Sequence, residues 1–152
     1  MELHLVSVIM FFLVAWVAGG CTLSAPPENE TLRASLIGAV NGAKSGEVID
    51  LTNSLGTSWD RVAFMPPYST NADARDALGF PFDIEASPTY ADDNGTVVVL
   101  AKDQRLVGWF VLYWRDVDNS MTAPTVVPAS DAKMIVTVSP DGYRHIELTG
   151  GP

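Results

Sequence analysis

The feature that most constrains the fold of this chain is a pair of apolar segments joined by two polar residues. Residues 96–102 contain the run VVVLA, which is typical of a strand buried on both faces. Residues 105–115 form a second strand after a short turn at Asp103 and Gln104. This second strand is also apolar on both faces: one carries Val107, Trp109, Val111 and Tyr113, and the other carries Leu106, Phe110, Leu112 and Trp114, with Gly108 in the same register.

A strand of this kind needs cover on both faces, or it exposes an apolar surface for binding. We expect a helix over residues 29–44 to cover the face of Val107 and Val111. On that face Trp109 or Tyr113 reaches the rim, where an aromatic ring can contact both water and a partner. The sequence therefore predicts Trp109, Tyr113 and Tyr68 as candidate partner-binding residues.

The remaining segments predict an α+β domain with a mainly antiparallel sheet of about five strands and two helices. Apolar residues recur at helical spacing over 29–44, and a second helix is expected from Thr70 to Leu78. Residues 47–52 read as a short extended segment with Val48, Ile49 and Leu51 pointing inward. The other expected strands span 61–65, 132–139 and 143–149, and a loop is expected over 83–95.

The segment from 57 to 79 combines several signals that mark defined architecture. Trp59 supplies a large apolar area, and Asp60 can accept hydrogen bonds from backbone donors at the start of the next strand. Pro67 and Tyr68 end that strand, because proline cannot donate to a sheet. Thr70 and Asp73 have the spacing of a capping box, and Gly79 is placed to end the helix.

The first 20 residues are predicted to be a signal peptide of the lipoprotein type. Residues 3–18 are almost continuously apolar, and Ala18-Gly19-Gly20-Cys21 is similar to the cleavage motif that precedes a lipidated cysteine. Cys21 would then carry the acyl chains, palmitate among them, that anchor the chain to a membrane. Glu2 stands where a basic residue is usual, so a misplaced start or an uncleaved signal anchor remain alternatives. Residues 21–28 are expected to form a tether, and 29–152 a single α+β domain.

The charge and the cysteine content exclude several classes of function. The formal net charge is −9, and removal of a leader containing Glu2 leaves −8. Such a chain repels phosphate backbones and anionic lipid surfaces, so nucleic acid is excluded as a partner. Cys21 is the only cysteine, which excludes an intramolecular disulfide and a thiolate metal cluster.

No residue pattern predicts a catalytic or metal site. His145 alternates with Tyr143 and Glu147 on its strand, and no nucleophile or orienting acid is tied to it by spacing. The acidic loop at Asp116 and Asp118 lacks the glycine and the glutamate of a calcium-binding loop. The sequence motifs of serine hydrolases, phosphate-binding loops and zinc peptidases are absent. No cofactor is expected.

The order of these motifs resembles a group of small bacterial lipoproteins that carry no established activity. The shared pattern is a W-D-x-V-x-F strand, here Trp59 to Phe64, then P-Y-S at 67–69, a helix that ends in L-G at 78–79, and an apolar hairpin. It covers residues 47–115. The resemblance implies a bacterial cell envelope location, with the domain facing the periplasm or the exterior, and leaves the chemistry open.

The sequence thus favours a membrane-anchored envelope lipoprotein that acts as a non-catalytic binding module for an envelope protein or a small ligand. One alternative is a secreted-type inhibitor or immunity protein, for which a compact acidic domain is suited. The other alternative is an envelope hydrolase, which requires Asp, Glu and His145 to meet in one deep pocket.

Overall fold

The computed structural model describes residues 26–90 and 92–149 of the chain. Three α-helices lie in this part: α1 (Glu30–Gly42), α2 (Leu51–Leu55) and α3 (Asn71–Leu78). The strands are β1 (Val48–Asp50), β2 (Arg61–Met65), β3 (Gly95–Lys102), β4 (Arg105–Tyr113), β5 (Asp118–Asn119), β6 (Thr125–Pro128), β7 (Lys133–Val138) and β8 (Arg144–Leu148). The α+β class, the mainly antiparallel pairing and the two sizeable helices are confirmed. The predicted signal peptide and Cys21 lie outside the described residues.

The described strands form two four-stranded sheets, where the sequence pattern indicated a single sheet of about five. The first, here named the hairpin sheet, has the order β4-β3-β2-β6 and is antiparallel throughout. The second, named the terminal sheet, has the order β1-β7-β8-β5. Its β5–β8 pair is parallel and only two residues long, and its other pairs are antiparallel.

One face of the hairpin sheet packs into a core shared with α1 and the terminal sheet. Phe64 of β2 and Phe110 of β4 are fully buried there, together with Leu36 of α1 and Met134 of β7. The expectation that the 29–44 helix covers the face of Val107 and Val111 is therefore wrong. That helix covers the opposite face, which carries Phe110.

The other face of the hairpin sheet is covered by α3 and by the segment that follows it. Trp109 and Val111 pack there with Leu78 and with Phe82, whose ring meets the Trp109 ring edge-on at 5.9 Å between centroids. The predicted cover over Val111 is thus present but comes from α3. Only a short turn separates β2 from α3, so this helix folds back onto the sheet that contains β2.

A β-bulge changes the predicted register near the start of β4. Leu100 pairs with Gly108 but Ala101 pairs with Leu106, so Val107 is the extra residue. Leu106 consequently packs on the Trp109 face and not, as predicted, on the Phe110 face. Val107 is 39% exposed, which corrects its assignment to a covered face.

The helix caps explain where the described helices begin and end. The predicted capping box of α3 is formed by Thr70 and Asp73, and Gly79 ends the helix in the left-handed conformation with φ 77°. Asn29 caps α1 by accepting a hydrogen bond from Leu32 N. These caps place the ends of both sizeable helices within two residues of the predicted ones.

The segment 47–52 differs from its prediction as a single extended piece. The strand β1 stops at Asp50, whose carboxylate accepts a hydrogen bond from Thr52 N at 2.9 Å and so begins α2. Ile49 and Leu51 point inward as predicted, but Val48 is 51% exposed and points away from the core.

Candidate binding groove

The three candidate binding residues lie in different environments. Trp109 is 7% exposed and its Nε1 donates to Pro26 O at 2.6 Å, so it belongs to the core and leaves the set of candidates. Tyr68 is 63% exposed. Tyr113 is half-buried, with the guanidinium groups of Arg33 and Arg115 at 5.5 and 4.8 Å from its ring centroid. Tyr113 is thus in contact with two arginines that line a concave surface.

Of the signals predicted between residues 57 and 79, Trp59 is a core residue and P-Y-S is a turn. Trp59 is 4% exposed and packs in the core shared by the two sheets. The P-Y-S sequence forms a β-turn in which Ser69 N donates to Pro66 O at 3.3 Å. Pro67 occupies the second position of this turn, and Tyr68 the third with φ 65°, a left-handed conformation that holds its ring outward.

Asp60 ties the beginning of β2 to the β3–β4 turn. Its Oδ2 accepts from Asp103 N at 2.6 Å, and Asp103 itself has φ 54°. Its Oδ1 accepts from the guanidinium of Arg61 at 2.8 Å. The bond from the Asp103 amide, with the help of Arg61, holds the pKa of the Asp60 carboxyl below its ordinary value.

Replacing Asp60 by asparagine should lower the melting temperature at neutral pH, because the charged acceptor of the Asp103 amide is lost. A carboxyl with a lowered folded-state pKa contributes stability above its unfolded-state pKa and loses it as the pH falls through the folded-state value. The gap in melting temperature between wild type and variant should therefore narrow below about pH 4. Asp93→Asn, at an exposed loop carboxylate, is the matched control. A gap that stays constant down to about pH 2 would contradict this role.

The concave surface beside Tyr113 runs along the exposed side of α1 and is here named the α1 groove. One part of it, about 450 Å³ in volume, lies between α1 and the chain that follows β4. A second part, about 270 Å³, continues towards the β7–β8 turn, and the two parts share Asn41, Arg115 and Asp116. The half-buried side chain of Ile37 lines the first part beside Ala34 and Gly38.

Three of the six arginines of this acidic chain line the α1 groove. Arg33 is ion-paired with Glu30, and its Nε lies 4.0 Å from a Glu28 carboxylate oxygen. Arg144 donates to the carbonyls of Val40 and Ala43 at the end of α1, both at 2.7 Å. These two guanidinium groups are held in place by the fold.

Arg115 differs from the other two arginines of the groove. Its side chain is 75% exposed, and its nearest carboxylate in the described chain is that of the adjacent Asp116 at 3.9 Å. This pair is too long for a good hydrogen bond, so the five N–H donors of Arg115 remain largely available while its plane lies over Tyr113. The groove thus presents one accessible guanidinium and two fixed ones.

The described end of the predicted tether is attached to the free edge of β4 beside the groove. Asn29 N donates to Trp109 O at 2.8 Å, and a Glu28 carboxylate oxygen accepts from Val111 N at 2.8 Å. These two bonds satisfy backbone groups that an open sheet edge would leave exposed. The Trp109 ring N–H adds a third contact by donating to Pro26 O. Residues 26–28, which the sequence predicts as the end of a tether, thus contact the folded domain.

His145 lies on the outer face of the terminal sheet with a carboxylate at each ring nitrogen. Its Nδ1 is 3.1 Å from Asp118 and its Nε2 is 3.3 Å from Glu147. The parallel β5–β8 pair brings Asp118 to His145, which sequence spacing did not indicate. Within residues 26–90 and 92–149 no hydroxyl is hydrogen-bonded to the ring, and no group of three His, Cys, Asp or Glu residues is arranged to hold a metal ion.

Residues 120–126, a loop that runs into the start of β6, border another cavity of about 480 Å³, which reaches Glu147 and Leu148 of β8. It contains no arginine and no aromatic side chain, so it offers fewer groups that recognise a ligand than the α1 groove does.

No α-helix in the described ranges is both long and apolar enough to span a bilayer.

Sequence reasoning identified Tyr113 but not its arginine partners. Arg33 and Arg115 are 82 positions apart, and only the packing of α1 against β4 brings them to one ring.

Comparisons with protein-family models, with curated proteins and with solved structures found no match to this chain.

Proposed function

We propose that this chain is a lipoprotein of the bacterial cell envelope, anchored to the membrane through Cys21, and that its domain is a non-catalytic binding module. The α1 groove is its binding site. The ligand is a small molecule or an envelope protein, and no nucleic acid takes part, because the net charge of −9 opposes a polyanion.

The observation that carries the proposal is the attachment of residues 26–29 to β4. Five peptide units separate Cys21 from Pro26, which is at most about 18 Å of extended chain. The contacts of Pro26, Glu28 and Asn29 would then transmit the position of the anchor to the rigid hairpin sheet. A domain attached in this way is held close to a membrane.

The groove supports a binding role because of the side chains that it combines. Arginine and tyrosine are the residue types that contribute most at recognition surfaces. Tyr113 supports two guanidinium groups by cation–π contacts, which are strongest where water is partly excluded. By contrast, both nitrogens of His145 face carboxylates, an arrangement that leaves neither one directed at a nucleophile.

The anchor is tested by replacing Cys21 with serine in the natural bacterial host. Acyl labelling with a palmitate analogue should disappear, and intact-mass analysis should show a precursor that retains residues 1–20. The matched control adds Asn53→Cys to the Cys21→Ser chain, which places a thiol on the exposed side of α2. Labelling should not return in that variant. A wild-type protein with an unmodified leader still attached would refute the anchor.

A further inference from the structure

We propose that the α1 groove binds a phosphate monoester, carried by a small soluble molecule, with Arg115 and Arg33 as the residues that hold the phosphate. This deepens the proposed function by naming the chemical class of the ligand, and it rests on the groove being the binding site. Both side chains line the same part of the α1 groove, about 450 Å³ in volume, so a single ligand bound there faces both guanidinium groups. They come from separate elements, one from α1 and one from the chain after β4.

The charges already present in the groove select a phosphate over a carboxylate. Arg33 pairs with Glu30 and also lies near Glu28, and Arg115 lies near Asp116, so an incoming carboxylate would replace one singly charged acceptor by another. A phosphate monoester carries about −1.5 to −2 charges at neutral pH and three acceptor oxygens. It can therefore compete with the carboxylates for both planar donor groups, which match its geometry in a bidentate manner.

The rest of the groove accommodates an uncharged part of the ligand. Beyond Arg33 the wall of α1 consists of Ala34, Ile37, Gly38 and Asn41, none of which carries a side-chain charge. A volume of about 450 Å³ suits a small molecule. After removal of the leader the net charge is −8, which repels an extended anionic surface more than a single small ester, so a free phosphate ester fits better than the headgroups of a membrane.

The test uses the full chain, labelled with ¹⁵N and purified in a nonionic detergent. Glycerol 3-phosphate is titrated while the arginine Nε–Hε signals are followed, and glycerate provides the same three-carbon skeleton with a carboxylate. Saturable shifts of the Arg33 and Arg115 signals are expected with glycerol 3-phosphate. Its affinity should exceed that of glycerate by roughly fivefold or more, because a hydrogen bond between two charged groups becomes stronger as the charge on the acceptor increases. Equal affinities would overturn the phosphate assignment.

Three variants locate the site. Arg115→Gln should weaken binding about tenfold, the usual scale for one charge-assisted hydrogen-bonding group. Glu30→Gln should strengthen it, because Arg33 loses a competing partner. The matched control is Arg75→Gln, since Arg75 is also exposed and also faces the next residue, Asp76, at 3.7 Å. Equal weakening by Arg75→Gln and Arg115→Gln would show general charge attraction and defeat the proposal.

Two further measurements keep the result interpretable. A thermal melt confirms that each variant is folded, and Arg115→Lys, which keeps the charge without the planar fork, should give an intermediate affinity. Vesicles of phosphatidylglycerol are the lipid arm. Binding to vesicles that depends on Arg115, without binding of glycerol 3-phosphate, would overturn the soluble ligand. Acyl labelling of Cys21 is an independent readout. If glycerol 3-phosphate does not bind, the proposal of a lipid-anchored protein is unaffected. If Cys21 is not acylated, the proposal of a phosphate site is unaffected.

Discussion

Replacement of Trp109 by alanine is expected to lower the free energy of unfolding by about 3–5 kcal/mol, the usual range for a buried tryptophan. The ring is 7% exposed and packs between β4, α3 and Phe82. Its removal leaves a cavity in the core between the hairpin sheet and α3. Since domains of this kind are stable by only about 5–15 kcal/mol, a large part of the folding free energy would be lost. Denaturant unfolding followed by circular dichroism measures the change.

Two companion variants separate the causes of this loss. Trp109→Phe keeps most of the apolar area but removes the Nε1–H donor to Pro26 O, so it should cost much less than alanine and loosen residues 26–28. Hydrogen exchange at Asn29 N reports that loosening. Tyr113→Ala should cost less than Trp109→Ala, because the Tyr113 ring is half-buried at the margin of this core and also contacts the arginines of the groove. Equal losses for Trp109→Ala and Tyr113→Ala would contradict the division between core and groove.

Local patterns predicted the parts of this fold that depend on short stretches of chain. The capping box of Thr70 and Asp73, the glycine after α3 and the turn at Asp103 all involve residues within four positions of each other. The apolar runs of β3 and β4 identified a buried hairpin because burial on both faces leaves no polar alternation. These features can be predicted without knowing which elements pack against them.

Which element covers which face could not be derived from the same patterns. Both faces of β4 are apolar, so periodicity does not distinguish the side that receives α1 from the side that receives α3. The bulge at Val107 moves Leu106 to the other face, since each inserted residue reverses the alternation. The division into two sheets depends on β1 joining β7, a pairing across more than 80 residues.

The residues of the candidate site could be predicted only in part, for the same reason. Tyr113 could be identified from its own strand as an aromatic residue able to reach a rim. Arg33, Arg115 and Arg144 come from three elements, and nothing in their spacing indicates a common groove. Likewise, Asp118 meets His145 only through a two-residue parallel pair, which sequence patterns do not reveal.

Replacement of Phe64 by alanine is expected to cost about 3–5 kcal/mol and to weaken the contact between the two sheets. Phe64 is fully buried on β2, which lies between β3 and β6 in the hairpin sheet. Its ring packs in the core that also contains Met134, Val136 and Ile146 of the terminal sheet. The cavity would therefore open at the junction of both sheets, where neither sheet can collapse without disturbing the other.

The matched control is Phe64→Leu, which removes less volume and should cost clearly less than alanine, because the cost rises with the size of the residual cavity. If the sheets depend on this junction, Phe64→Ala should speed hydrogen exchange at amides of β7 and β8 as well as β2, although the terminal sheet contains no mutated residue. Protection lost only from the hairpin sheet would mean that the sheets unfold independently. That result would contradict a single shared core, and with it the idea that the contacts of residues 26–29 with β4 hold both sheets as one unit.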